Sequence, residues 1–174
     1  MEIRMENKIF AGYSEDLSIS YLYEQYNQLF SNCSMLITCL DSSRELVKLD
    51  KWISFVENQR IKYEKIGESF YFESAMVENL FLSKKTFYGF DEIYLFKNKK
   101  PSFSPDEQFT PEVVSFANKL PNKLVKIIQE INAEIFISDG IGCGLNIAST
   151  SPLDVYKIND VEKQCREFYK PYEI

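Results

Sequence analysis

The stretch Glu134-Ile-Phe-Ile-Ser138, then Asp139-Gly140-Ile-Gly142-Cys-Gly144, then Leu145-Asn-Ile-Ala148, decides how this 174-residue chain folds. Glu134–Ser138 is short, β-branched and aromatic, which reads as a strand. The glycine-rich run reads as a turn, and Leu145–Ala148 as a returning strand. Working outward, Met35–Leu40 and Glu92–Lys97 are apolar runs of the same kind. Lys8–Tyr13 and Ser69–Phe72 add shorter strand candidates.

Helical periodicity fills the spaces between them. Ser18–Phe30 carries Ile19, Leu22, Tyr23, Tyr26, Leu29 and Phe30 on one stripe. Ser42 and Glu45 form a capping box before Leu46, Leu49, Ile53 and Val56, and this helix is expected to run to about Tyr63. Glu73–Lys84 reads as a helix through Met76, Val77, Leu80 and Phe81. Thr110-Pro111-Glu112 is a helix start, and past Pro121 the pattern resumes through Leu124, Val125, Ile128 and Ile131. Asn159–Glu162 is read as the cap of a last helix holding Val161, Cys165 and Phe168. Strand and helix alternate at 35–40, 93–97 and 134–138. That predicts an α/β fold, a single layered domain over 1–174 with a mixed central sheet flanked by helices. A segregated α+β arrangement is the alternative, because the hairpin-like end 134–148 adds antiparallel strands.

Hydrophobic residues are 45% and charged residues 26%, an ordinary globular balance. No apolar run reaches the ~18 residues of a membrane-spanning helix. Met1-Glu-Ile-Arg-Met-Glu6 lacks the apolar stretch of a signal peptide, so a cytoplasmic protein without membrane contact is expected. The polar run 98–109, with Pro101 and Pro105, reads as a surface loop.

The chain has no histidine. That removes Ser-His-Asp and Cys-His nucleophile systems and the HExxH zinc site. Cys33, Cys39, Cys143 and Cys165 include no C-x-x-C pair, so neither a zinc ribbon nor a thioredoxin-type site is expected. No metal, cofactor or catalytic residue is assigned. Net charge is −6, spread as −3, −1 and −2 over residues 1–60, 61–120 and 121–174. This balance argues against nucleic acid, whose binding rests on phosphate contacts, and favours a basic protein partner.

Two segments are candidate sites. Asp139, Gly140, Gly142 and Gly144 would let backbone amides approach a phosphate or nucleotide, with Asp139 at a strand's carboxyl end. Their spacing is not G-x-G-x-x-G, and no Gly-Lys-Ser/Thr follows, so a glycine-rich hairpin explains them as well. Phe87-Tyr88-Gly-Phe-Asp91-Glu92 sets aromatics beside acids, the composition of a protein-recognition surface, with Asp91 and Glu92 solvated. Asp106 and Glu107 add a second acidic patch on the polar loop. The carboxylate pairs Glu64/Glu68 and Glu73/Glu78 read as solvated faces.

Small size, acidic balance, 15% aromatic residues and no catalytic signature together resemble the immunity proteins of bacterial polymorphic toxin and contact-dependent growth inhibition systems. The stretch Phe87-Tyr-Gly-Phe-Asp-Glu-Ile-Tyr-Leu-Phe96 is similar to segments of uncharacterised bacterial proteins of this size. The resemblance implies a non-enzymatic inhibitor that binds a cognate, basic toxin domain in the cytoplasm. Tyr88, Asp91, Glu92, Asp106 and Glu107 are then the candidate partner-binding residues. The competing reading is a small α/β enzyme or phosphate-ligand binder using Asp139–Gly144.

Overall fold

A computed structural model describes residues 1–39, 46–82, 90–97, 100–101, 120–139 and 144–169. Its first element is a hairpin of β1 (Arg4–Glu6) and β2 (Ile9–Ser14). Asn7 and Lys8 turn it with φ of 50° and 65°. Both central residues in the left-handed region suit a two-residue hairpin, because that twist matches the strands.

Among the described residues follow α1 (Ile19–Gln25), α2 (Gln28–Ser31), β3 (Ser34–Cys39), α3 (Leu46–Asn58), β4 (Glu64–Ile66), β5 (Ser69–Phe72) and α4 (Ser74–Leu82). They continue through β6 (Phe90–Phe96), α5 (Asn122–Ile131), β7 (Ile135–Asp139), β8 (Leu145–Ser149) and α6 (Pro152–Tyr169). Eight strands form one sheet in the order β1-β2-β8-β7-β6-β3-β5-β4. The chain is thus an α/β protein with a central sheet flanked by helices, and every pairing in the sheet is antiparallel.

Alternation along the strands divides two apolar layers. Met35, Ile37, Ile93, Leu95, Ile135, Ile137 and Ile147 face α1, α2, α3, α4 and α6. Leu36, Tyr94, Phe96, Phe136 and Ala148 face α5, which buries Leu124, Val125, Ile127, Ile128 and Ile131 against them. Two-sided burial explains why these strands read as nearly continuous apolar runs. Trp52 of α3 packs edge-on to Phe70 and Phe72, with ring centroids 5.3 and 6.0 Å away.

Four expectations need correction. The helix read over Ser18–Phe30 breaks at Tyr26, whose φ of −138° leaves the helical region, and restarts at Gln28. The break lets Leu29 and Phe30 turn into the core under α4, where Tyr23 stacks on Phe81 at 4.1 Å. The helix expected to reach Tyr63 ends at Asn58. Arg60 adopts φ 57° and the Ile61 amide returns to the Val56 carbonyl at 3.1 Å, a left-handed helix terminus built without glycine. Glu64–Ile66 then forms an edge strand the sequence reading lacks. The last helix begins at Pro152, not near Asn159. Proline in the first turn and Asp154 just after it are the start signals that the Asn159 reading passed over. The helix start at Thr110 and the capping box at Ser42 lie outside the described residues.

Candidate functional site

The register of the central strands lines up one residue from each. Thr38 pairs with Glu92, Glu92 with Ser138, Ser138 with Asn146, and Asn146 with Tyr13. At about 4.8 Å between strands this row runs about 19 Å across β3, β6, β7, β8 and β2. Each member flanks residues of the opposite layer, such as Ile37, Ile93, Ile137 and Ile147, so the row lies on the α5 side. The neighbouring row on that side is apolar: Leu36, Tyr94, Phe136, Ala148 and Ala11. This end of the sheet face is therefore polar beside an apolar middle.

Thr38, Glu92, Ser138 and Asn146 are all buried, none more than 5% exposed. Thr38 Oγ1 donates to Glu92 Oε2 at 3.2 Å, and Tyr94 Oη donates to the same oxygen at 3.3 Å. Burial, and then the Glu92 carboxylate beside it, push the Tyr94 phenol far above its ordinary pKa, which keeps its proton in this bond. Asn146 Nδ2 donates to Ser138 Oγ at 3.3 Å. Asn146 Oδ1 is buried without a hydrogen-bond partner. Just beyond the row the β3–β6 register shifts: Cys39 pairs with Phe90, leaving Asp91 as the extra residue of a bulge. Bulges re-aim side chains and are common beside functional sites.

The two candidate segments therefore meet. The strand beginning at Phe90 and the strand ending at Asp139 are neighbours, and Glu92 faces Ser138 across them. The expectation that Glu92 is solvated is overturned, since it is 1% exposed. Period-two alternation turns it inward with Tyr94 and Phe96. The Asp91 side chain, Tyr88, Asp106 and Glu107 lie outside the described residues. So do Gly140, Gly142 and the Asp139 side chain, although the Asp139 backbone pairs with Leu145. Gly144 has φ +95°, and a Cβ there would fall inside the contact radius of the Ser14 carbonyl oxygen. Packing against the end of β2 is thus a sufficient reason for that glycine. In an all-antiparallel sheet the β7 end is not the strand-end crevice of a doubly wound fold, so topology lends Asp139 no special position.

Other clusters are internally paired. Lys97 Nζ reaches Asp154 Oδ2 at 3.1 Å, and Tyr26 Oη reaches Asp154 Oδ1 at 3.5 Å. Lys100 pairs with Glu64, one of the carboxylates read as solvated. These two lysines, with Asn32, Ser34, Tyr71 and Ser74, line an open cleft of about 440 Å³ at the opposite end of β3 and β6. Glu162 is held by Arg166 Nη2 at 3.2 Å and by the Met1 ammonium. Cys33 and Cys165 are buried free thiols, and burial pushes the Cys33 pKa up to about 11. Among the described residues no group of three His, Cys, Asp or Glu side chains could hold a metal ion, and no helix is long and apolar enough to cross a membrane.

The buried row escaped the sequence reading because each strand contributes one polar residue. The available signal was a polar residue toward the same end of the same face of each apolar strand. No family model, no curated protein and no solved structure matches this chain.

Proposed function

We propose that the chain is a non-enzymatic inhibitor, an immunity protein that binds and neutralises a basic toxin domain in the bacterial cytoplasm. The observation that carries this reading is the outer face of α6. Leu153 and Tyr156 lie one turn apart there at 59% and 54% exposure. Asp160, ion-paired with Lys163 at 3.2 Å, and Glu167 continue the exposed side toward the helix's end. An exposed tyrosine–leucine pair leading into acids combines the anchor and the steering charge that a protein interface needs. The chain-wide charge of −6 attracts a basic partner in the same sense. The absence of histidine from the whole sequence fits a protein that binds rather than turns over.

Co-purification with a toxin domain encoded directly upstream, together with protection of cells from that toxin, tests this reading. Tight, stoichiometric binding that the pair Leu153→Asp and Tyr156→Asp abolishes is the expected result. A folded chain that neither binds nor protects overturns it.

A further inference from the structure

We propose that the open cleft at the Ser34 end of β3 and the Phe96 end of β6 binds a free amino acid, held by its carboxylate and its ammonium together. The claim is independent of the inhibitor reading, since Leu153 and Tyr156 take no part in it. The cleft has a volume of about 440 Å³, in the range of small-molecule sites. Lys97 and Lys100 form its cationic side, and Glu73, just before α4, lines it as well.

Both lysines are held in place by the protein. The Lys97 backbone N–H donates to Glu134 Oε2 at 2.8 Å, and its ammonium donates to Asp154 Oδ2 at 3.1 Å. Asp154 is itself 5% exposed and accepts from Tyr26 Oη at 3.5 Å, so the anchor of Lys97 is fixed in turn. Lys100 lies over the Tyr71 ring, 5.4 Å from its centroid, and pairs with Glu64. A lysine ammonium carries three N–H donors, and each of these two commits one to its carboxylate, so donors remain on both. The Lys100–Glu64 pair is about half exposed on each side, and such pairs are weak enough to exchange for a ligand. Glu73 is exposed and has no ion pair or side-chain hydrogen bond among the described residues. One cavity thus displays spare cationic donors and an open carboxylate. A phosphate would satisfy the lysines and be repelled by Glu73, and a simple amine would do the reverse. A small zwitterion answers both charges, because its carboxylate meets the ammonium groups and its ammonium meets Glu73.

The test is isothermal titration of the full chain with each of the common free amino acids in turn, at physiological ionic strength. Saturable binding of at least one of them with a Kd below about 1 mM is expected. Its N-acetyl form, which lacks the ammonium, and its carboxamide, which lacks the carboxylate, should each bind about tenfold more weakly or worse. Glu73→Gln and Lys100→Met should weaken binding by a similar factor while leaving Tm unchanged, because both side chains are exposed. In the wild-type protein, the backbone amide resonances of Ser74 and Lys97 should shift along the same saturation curve, so the test does not depend on the variants folding. Absence of saturation by every amino acid overturns the proposal, as do unmoved Ser74 and Lys97 resonances. An N-acetyl or carboxamide form that binds as well as its parent also overturns it. Inorganic phosphate binding more tightly than any amino acid overturns it too, because the cleft would then be an anion site. Undiminished affinity in folded Glu73→Gln and Lys100→Met places the binding elsewhere and has the same consequence.

Discussion

Thr38 and Glu92 sit directly opposite each other on β3 and β6, 54 positions apart in the chain, with Thr38 Oγ1 donating to Glu92 Oε2 at 3.2 Å. A threonine hydroxyl thus helps to solvate a carboxylate that is 1% exposed. Thr38→Val keeps the shape and removes the donor, so it should cost about 1–3 kcal/mol. Glu92→Lys sets an ammonium where Thr38 and Tyr94 offer donors, and should cost about 4 kcal/mol or more. Urea unfolding followed by Trp52 fluorescence measures both, since this single tryptophan is 6% exposed in the core. A stable, well-folded Glu92→Lys protein would contradict the burial.

Gly144 should tolerate no side chain. Its φ of +95° and its approach to Ser14 both oppose a Cβ. Gly144→Ala is expected to lose at least about 1–2 kcal/mol by denaturant titration. Loss of stability without a ligand present would separate packing from any phosphate-binding role of this glycine.

Cys33 should be chemically silent and should carry a pH signature. Its thiol rises from 9.0 to about 11, chiefly through burial, with Lys97 opposing and Glu134 and Asp154 reinforcing the rise. A raised folded-state pKa means the stabilising contribution is complete below pH 9 and is lost as pH climbs toward 11. The stability difference between wild type and Cys33→Ala should therefore be flat below pH 9 and shrink between pH 9 and 11. Thiol titration of the folded protein at pH 8 should leave Cys33 unmodified until denaturant is added.

Association with a basic partner should depend on salt mainly through its on-rate. Moving from low to physiological ionic strength should slow association several-fold and change dissociation little. Leu153→Ala and Tyr156→Ala should act oppositely, raising the off-rate while leaving the melting temperature within about 1–2 °C, because both side chains are exposed. Stopped-flow mixing at two salt concentrations reads all of these rates.

Element types were legible in the sequence wherever local periodicity is strong. Ile135–Asp139, Ser69–Phe72 and Phe90–Phe96 announce themselves by β-branched and aromatic runs, and α5 by its buried stripe behind Pro121. Arg4–Glu6 and Glu64–Ile66 are too short and polar to announce anything, because as edge strands each needs only one neighbour. Tertiary structure alone decided the strand order and register. Those depend on which apolar faces share a layer, a long-range choice that no window of neighbouring residues contains. The candidate row follows the same logic. Thr38, Glu92, Ser138 and Asn146 are separate in sequence and become one buried line only when β3, β6, β7 and β8 pair in this register. Sequence determined that each of these strands carries a polar residue opposite its isoleucines, and folding decided that those residues meet.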